Sequence, residues 1–215
     1  MDPIVIVPLG SWEQHGAHLP ATTDSVIIEA VVSRAVQGRD VVVAPVMHIT
    51  ASDEHRGFPR TLSTGTEAFA ASLVGIARSA GWARGVLFAN GHGGNADAIR
   101  LAAAAMDREG LRHSVWSLPA YDGADAHAGR TETSVMLSLA PDDVRLGLAV
   151  RGNTTPTGEI MDELRRGGVQ AVSTSGVLGD PTTATAAHGE AVLRMWVESL
   201  AQRIDALQRE WAAHA

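Results

Sequence analysis

The sequence predicts an α/β fold in which a mostly parallel central sheet is covered by helices on both faces. Short apolar runs typical of buried strands alternate along the chain with amphipathic segments of a dozen or so residues, the spacing that βαβ units require. The 215 residues are 45% hydrophobic and 19% charged, and no stretch resembles a linker. A single domain over residues 1–215 is therefore expected.

The apolar runs and periodic segments predict the individual elements in chain order. Strands are predicted at residues 4–7, 41–46, 85–89 and 113–118, the first two as buried strands. Helices are predicted at residues 25–36, 67–80, from 95 to about 109, from about 131 to before Pro141, within 153–168, and at 188–211. The last helix carries an apolar stripe, which is expected to dock on the sheet.

Composition restricts the functional classes that fit this chain. There are no cysteines, so any bound metal must use His, Asp or Glu side chains. No apolar run approaches the roughly 20 residues of a membrane span, and the N-terminal Met1-Asp2-Pro3 lacks the basic region of a signal peptide. A net charge of -7 disfavours a nucleic-acid partner. These features predict a cytoplasmic protein with no membrane and no nucleic-acid partner.

The segment from Gly10 to Asp24 follows the first strand and contains the first candidate ligands. Glu13 and His15 are two residues apart, so on an extended backbone their side chains leave the same face. Asp24 comes just before a predicted helix. Two carboxylates and an imidazole at the end of a strand form a ligand set for a divalent metal. The alternative is a polar strand-to-helix loop in which Asp24 is only an N-cap.

A glycine-rich turn, Asn90–Asn95, follows the third predicted strand and contains His92. Ligands bind beyond the carboxyl ends of parallel strands, so His92 is expected to meet the Gly10–Asp24 segment at that edge and to coordinate the same metal. Two alternatives remain. The glycines can form a tight turn with His92 exposed, or the turn can hold a phosphate, although no Lys-Ser/Thr and no Gly-x-Gly-x-x-Gly spacing supports this.

The third polar cluster, residues 125–134, lies after the fourth predicted strand. Thr131 is predicted to cap a helix, which puts Glu132 in the first turn, where a carboxylate also favours the helix dipole. His127 lies five residues earlier and strengthens a functional interpretation. The candidate ligands are then Glu13, His15, Asp24, His92 and Glu132. Closed structural zinc usually takes four ligands, so five with a bridging carboxylate favour a binuclear hydrolytic site for zinc, iron(II) or manganese.

The remaining histidines and one tryptophan have weaker expectations. His18, His48, His55 and His188 are expected to be structural or to support the ligands, and His113 and His214 to be solvated. Trp12 has candidate ligands as neighbours and is therefore a candidate substrate-binding residue, and so is Phe58 in the long polar loop of residues 52–65.

Three separated motifs resemble the creatininase family in order and spacing, over nearly the whole chain. They are Gly10–Gly16 with Pro20 and Asp24, Asn90–Asn95, and His127–Ser134. The resemblance implies a three-layer α/β/α fold, a binuclear metal site, hydrolysis of amide bonds, and a homo-oligomer, either a hexamer or an octamer, with the 52–65 loop as candidate contact. By motif, it implies that Glu13, His15, Asp24 and His92 are ligands with Asp24 as the bridge, and that His127 handles the proton.

Two positions depart from the family pattern. Creatinine-hydrolysing members have a glutamate ligand where this chain has Gly94, which implies that Glu132 supplies the missing carboxylate and that creatinine is not the substrate. Arg60 stands where many relatives have glycine, which affects the expected shape of the entrance loop.

Within the family, the likeness is greatest to the peptidases of the mycofactocin system. It is carried by Ala124–Gly129, Gly152–Thr154, Arg165–Val169, and Gly176–Thr182 with the following alanines. This likeness implies removal of a C-terminal Val-Tyr dipeptide from a radical-modified precursor peptide. Arg130 is then a candidate for binding the dipeptide carboxylate, and His127 and Glu132 are the candidate catalytic residues. The alternatives are hydrolysis of a small cyclic amide or formamide, and a non-catalytic nucleotide- or phosphate-binding domain.

Overall fold

Four parallel strands form the central sheet, in the spatial order β2-β1-β3-β4. The structure is a computed structural model and describes residues 2–212. The strands are β1 (Ile4–Leu9), β2 (Val41–Val43), β3 (Gly85–Asn90) and β4 (His113–Ser117). Each neighbouring pair is parallel, which confirms the predicted sheet.

Helices cover both faces of this sheet. Within residues 2–212 they are α1 (Thr23–Ala35), α2 (Thr66–Ser79), α3 (Ala96–Arg108), α4 (Arg130–Leu139), α5 (Thr157–Val172) and α6 (Ala186–Ala212). Helices α1, α4 and α6 share an apolar core with one face of the sheet, and α2 and α3 share a second core with the other. The three-layer α/β/α architecture is therefore confirmed. None of the helices within these residues combines the length and apolar character of a membrane span.

The two central strands are buried along their whole length because helices cover both of their faces. Along β1, Ile4 and Ile6 contribute to the core shared with α1, α4 and α6, whereas Val5 and Val7 contribute to the opposite core. Successive side chains of a strand point to opposite faces, so a strand covered on both sides is apolar throughout. This explains the uninterrupted run at the start of the sequence.

The prediction of a second buried strand is wrong. β2 pairs only with β1, at the edge of the sheet, and the side chains of Val42 and Val43 are each 42% exposed. A valine-rich run has the same composition in a central strand and in an edge strand. Its burial depends on strand order and on the covering helices, which local composition does not specify.

The last third of the chain is more helical than predicted. Helix α4 begins at Arg130 with Gly129 as its N-cap, so Thr131 is not the cap, although Glu132 does lie in the first turn. Helix α5 extends to Val172 and has a non-helical residue at Gly168. Helix α6 docks on the sheet as predicted, and the indole Nε1 of Trp116 on β4 donates a hydrogen bond to its Ser199 Oγ, at 3.1 Å.

Histidines away from the sheet edge follow the predictions only in part. The side chain of His113 is 11% exposed, so its predicted solvation is wrong, because its imidazole Nδ1 is hydrogen-bonded to the Leu111 carbonyl at 3.1 Å. His48 is exposed, and His188 is hydrogen-bonded to the Tyr121 hydroxyl at 3.0 Å. His214 lies outside the described residues.

Candidate metal centre

The five candidate ligands converge beyond the carboxyl ends of the central strands. Glu13 and His15 follow β1, His92 follows β3, and Asp24 and Glu132 lie in the first turns of α1 and α4. The first four are buried, and the side chain of Glu132 is 20% exposed. The parallel topology thus gathers groups as far apart in the chain as Glu13 and Glu132, which are separated by 119 positions.

Asp24 lies between two imidazoles. Its Oδ1 is 3.2 Å from His15 Nε2 and its Oδ2 is 3.0 Å from His92 Nδ1, while the Ser11 hydroxyl donates a hydrogen bond to Oδ2 at 2.8 Å. The alternative role as N-cap is wrong, because Thr22 is the N-cap residue of α1 and no side chain caps that helix. With one oxygen facing each imidazole, Asp24 has the position of a bridging carboxylate.

Backbone carbonyls orient three imidazoles of the site. His15 Nδ1 donates to the Glu13 carbonyl at 3.1 Å, His92 Nε2 to the Ala51 carbonyl at 3.0 Å, and His127 Nε2 to the Gln14 carbonyl at 2.9 Å. A carbonyl oxygen can only accept, so the nitrogen beside it carries the proton and the other nitrogen has a lone pair. In His15 the lone pair is on Nε2 and faces Asp24 Oδ1, and in His92 it is on Nδ1 and faces Asp24 Oδ2. A nitrogen lone pair and a carboxylate oxygen are both acceptors, so at a separation of about 3 Å they require a proton or a cation between them.

Glu13 is the most confined carboxylate of the site. It is fully buried, and within residues 2–212 neither of its oxygens has a hydrogen-bond partner. His92 Nε2 and His55 Nε2 lie 3.1 and 3.2 Å from these oxygens, but their direction is unsuitable for hydrogen bonds. Burial raises the pKa of Glu13 to about 8. A buried carboxylate without hydrogen bonds is costly unless a cation compensates it, which fits a metal ligand.

The protonation states of His15 and Glu132 also follow from burial and from the charged groups beside them. Burial alone would lower the pKa of His15, but Asp24 and Glu132 beside it raise this pKa to about 10. Burial raises the pKa of Glu132 to about 7. Without a metal, protons therefore balance the carboxylates, and a bound cation would displace them.

The donor atoms form groups with the dimensions of metal sites. Glu13, Asp24 and His92 offer donors within 4.8 Å of one another, and so do His15, His127 and Glu132. Two donors bound to one tetrahedral zinc lie about 3.4 Å apart, given bonds of roughly 2.1 Å. Asp24 belongs to the first group and faces His15 of the second. The side chains present therefore fit two divalent ions with Asp24 between them.

His127 lies within this cluster and differs from the other two oriented imidazoles. Its free Nδ1 is 3.6 Å from Glu13 Oε1, and its ring centroid lies 4.3 Å from that of His15. Burial, reinforced by His15, lowers the pKa of His127 well below its ordinary value. His127 is therefore neutral at neutral pH, with a nitrogen lone pair directed at the cluster.

His55 and Gln14 extend the site beyond the candidate ligands. Gln14 Nε2 donates to His55 Nδ1 at 2.8 Å and to the Gly176 carbonyl at 3.1 Å. Burial lowers the pKa of His55 to about 3, so this ring is neutral. The position of His55 is consistent with the supporting role expected for it, whereas Gln14 was not expected. Its location between Glu13 and His15 was the only sequence signal.

Glu54 is a further carboxylate that sequence reasoning missed. Its Oε1 is 3.4 Å from His92 Nε2, and a Cβ added at Gly94 would overlap this same oxygen. Glu54 therefore fills the space beside Gly94. Glu132 lies on the other side of the cluster, 3.7 Å from His15 Nε2. The run Asp53-Glu54-His55 in the polar loop was the available signal.

A cavity of about 860 Å³ opens above the cluster, with Glu13, Asp24, His92, His127 and Glu132 at its base and α5 as one wall. Within residues 2–212, the three candidate substrate-binding residues do not line it. Trp12 is 36% exposed, Phe58 packs against α5, and the exposed Arg130 donates its backbone N–H to Asp125. Their roles in substrate binding stay predictions.

The structure also bears on the expectations for Arg60 and for the turn that contains His92. Arg60 has a φ of 68°, so it adopts the left-handed backbone conformation that glycine favours, at the position where many relatives are expected to have glycine. His92 is buried beside Glu13 and Asp24 and not exposed on a tight turn. A phosphate at this turn would meet several carboxylates, so the site disfavours the phosphate-binding alternative.

Comparisons with known proteins agree with this architecture. The family described as creatinine amidohydrolase, Creatininase, matches residues 1–204. A mycofactocin precursor peptide peptidase of Mycolicibacterium smegmatis is 50% identical to this chain, and the match covers 95% of this chain and 85% of the relative. A mycofactocin precursor peptide peptidase of Mycobacterium tuberculosis is 45% identical, and the match covers 94% of this chain and 84% of the relative. Solved zinc and manganese forms of creatininase are each 25% identical, with a TM-score of 0.77 over 98% of this chain and 91% of theirs. The chain therefore belongs to the creatininase family.

Proposed function

We propose that this chain is a metal-dependent peptidase that removes the C-terminal Val-Tyr dipeptide from the modified precursor peptide of the mycofactocin system. The observation that carries the proposal is the buried cluster of carboxylates and oriented imidazoles at the base of a cavity. The relatives that are 45% and 50% identical over most of the chain are named as peptidases of that precursor, which supports the substrate.

The proposed cofactor is a pair of divalent metal ions. Glu13 and His92 would hold one, His15 and Glu132 the other, and Asp24 would bind both. Bound ions would supply Lewis acidity towards the scissile carbonyl and would lower the pKa of a bound water. Zinc, iron(II) and manganese all suit this nitrogen and oxygen ligand set, and the zinc and manganese forms of creatininase support the first and the last.

His127 is the proposed proton carrier. Because its pKa is lowered, it starts the cycle neutral, with the lone pair of Nδ1 directed at the cluster. It is then suited to accept a proton from water as the scissile carbonyl is attacked, and to return that proton to the departing amine nitrogen. The hydrogen bond from Nε2 to the Gln14 carbonyl keeps the ring oriented during both transfers.

The dimensions of the cavity favour a peptide over a small amide. A volume of about 860 Å³ lies at the upper end of ordinary small-molecule pockets, which span roughly 300–1,000 Å³. A cyclic amide or a formamide would leave most of this space unfilled, whereas the C-terminal part of a peptide that includes a tyrosine is larger and would fill more of it. The alternative of a small-amide hydrolase therefore ranks second.

Incubation of the metal-loaded protein with the modified precursor peptide, followed by mass spectrometry, tests the proposal. We expect release of the Val-Tyr dipeptide in its modified form and the shortened peptide, and we expect chelator to abolish the reaction. Elemental analysis of the same preparation is expected to find about two metal ions per chain. An intact precursor, with turnover of a small cyclic amide instead, would favour the second candidate.

We further propose that the protein is a single-domain homo-oligomer, hexameric or octameric, of the cytoplasm. Exposed apolar side chains on β2 and on the segments that follow it support self-association, because exposed apolar surface often marks an interface between protein chains. They are Val42, Val43, Ile49 and, in the 52–65 loop, Leu62. Phe58, by contrast, is half-buried against α5 and offers less to a neighbour.

A further inference from the structure

Glu54 is a carboxylate of the cluster to which the proposed metal centre gives no role. Its side chain is 31% exposed, and its Oε1 lies 3.4 Å from Nε2 of His92. Within residues 2–212, Glu54 belongs to none of the groups of donor atoms that lie within 4.8 Å of one another, so it is not placed as a ligand. It lies instead beside the nitrogen of His92 that carries the proton, because this Nε2 donates to the Ala51 carbonyl at 3.0 Å.

The charges around His92 give the position of Glu54 its significance. Glu13 Oε2 is also close to His92 Nε2, at 3.1 Å, but Glu13 is a proposed ligand, so a bound ion would share its charge. Glu54 is then left as the carboxylate that faces the N–H of His92 without binding the ion. A carboxylate beside the protonated nitrogen of a ligating imidazole fixes the tautomer and makes the other nitrogen a stronger donor. In His92 that other nitrogen is Nδ1, which faces Asp24.

Gly94 leaves the space in which these two side chains meet. A Cβ at this position would overlap both Glu54 Oε1 and His92 Nε2. The preceding residue of the same turn differs, because a Cβ at Gly93 would have no atom within 4 Å. The contact between Glu54 and His92 therefore requires glycine at position 94 and not at position 93.

The turn Asp53–His55, which contains Glu54, is held from two sides. On the α5 side, Gly168 has a φ of 67°, and a Cβ there would collide with the carbonyl oxygen of Glu54, so glycine lets α5 approach the turn. On the other side, the buried His55 accepts a hydrogen bond at Nδ1 from Gln14 Nε2, at 2.8 Å. These contacts fix the backbone from which the Glu54 side chain extends.

We propose that Glu54 is a positioning residue, which holds His92 in the tautomer and orientation of a metal ligand and so strengthens binding of the ion assigned to Glu13 and His92. The site then contains two kinds of carboxylate. Glu13, Asp24 and Glu132 bind the ions, whereas Glu54 acts on one ion through His92. This inference rests on the proposed metal centre and adds a residue to it, and it does not depend on the identity of the substrate.

Zinc affinity tests this role without turnover, by titration of the metal-free protein in competition with a chromophoric chelator. We expect Glu54→Gln, which keeps the shape of the side chain and removes its charge, to weaken binding of one ion roughly 10–100-fold, the usual effect of losing such a partner. The affinity for the other ion should stay unchanged. The metal-free variant should be no less stable to urea than wild type, whereas a merely structural role of Glu54 would lower that stability and leave the affinity unchanged.

A matched control removes a carboxylate from the same cavity. Asp97 also lines the cavity, but it is exposed and paired with Arg100 at 3.1 Å. Asp97→Asn should therefore leave both zinc affinities unchanged. A loss of affinity in this control equal to that in Glu54→Gln would show a general effect of charge and would overturn the role of the contact with His92.

The two neighbouring glycines provide a second test. Gly94→Ala places a methyl group where Glu54 and His92 meet, and it is expected to weaken binding of the same ion, whereas Gly93→Ala should have no effect. Neither glycine has a positive φ, so the backbone accepts alanine at both positions. Because both changes break one contact, adding Glu54→Gln to Gly94→Ala should weaken binding little further.

Unchanged zinc affinity in Glu54→Gln would overturn the proposal, and so would losses from Glu54→Gln and Gly94→Ala that multiply in the double variant. The visible spectrum of the cobalt(II)-loaded Glu54→Gln variant should match that of wild type, because the donor atoms are the same. A changed spectrum would make Glu54 a ligand and reject its positioning role. A wild-type protein that binds no metal would reject the metal centre together with this role, whereas cleavage of the precursor tests the proposed substrate separately.

Discussion

Replacing Glu13 with glutamine should make the stability of the metal-free protein less sensitive to rising pH. Glu13 is fully buried, and burial raises its pKa from about 4.5 to about 8. Because the folded pKa lies above the unfolded one, the stability that this group contributes is complete below about pH 4.5 and is lost as pH rises through about 8. Each pH unit between these values is worth roughly 1.4 kcal/mol, so the full loss is of the order of a few kcal/mol. The Glu13→Gln variant has no such loss.

Urea unfolding of both proteins after chelator treatment, followed by tryptophan fluorescence between about pH 5 and about pH 9, measures this difference. The free energy of unfolding of the variant, relative to wild type, is expected to increase with pH by a few kcal/mol. His15 has a pKa raised to about 10 and also loses stability with rising pH, but it is present in both proteins and largely cancels. Added zinc should reverse the order at high pH, because wild type then gains a ligand. A difference that does not change with pH would refute the argument that Glu13 is an uncompensated buried carboxylate.

Three further predictions follow from the same geometry. Asp24→Asn should reduce the metal content from the proposed two ions to well below one per chain by elemental analysis, because the two oxygens of Asp24 face His15 and His92, the proposed ligands of different ions. Loss of only one ion would show that Asp24 does not bridge. His127→Ala should lower turnover roughly 10²–10⁴-fold with metal content unchanged, and loss of metal would instead make His127 a ligand. Val43→Lys, which places a charge on the exposed β2 edge, should give a smaller species in light scattering, and an unchanged mass would remove this edge from the interface.

Local sequence was sufficient for most of the fold. The apolar runs at β1 and β3 predicted their strands to within a few residues, because a central strand must be apolar on both faces. The strand β4 was predicted equally well, although it lies at the second edge of the sheet. Local sequence was insufficient for β2, whose valines are as apolar as those of β1 although they lie at the edge. It also misplaced the cap of α4, because a helix beginning in a loop is positioned by contacts such as Asp125 with the backbone of Arg130.

The candidate site, like the fold, could be predicted from the sequence only in part. The spacing of Glu13 and His15, the turn that contains His92, and the first-turn position of Glu132 were readable in the chain, because each belongs to one strand end or one helix start. The topology of a parallel sheet was enough to predict that they meet. The assignment of individual roles stays a prediction for the experiments above.

The amino-acid sequence by itself determined that this chain forms a parallel α/β sheet and that three polar motifs lie at its carboxyl edge, since both follow from residue patterns within single elements. Only the tertiary structure decided which groups touch. Glu54 fills the space left by Gly94, and Gly168 lets α5 bring Arg165 and Arg166 to the same cavity. These contacts join segments from the 50s, the 90s and the 160s of the chain, and such distances depend on how helices and loops pack, which no local pattern encodes.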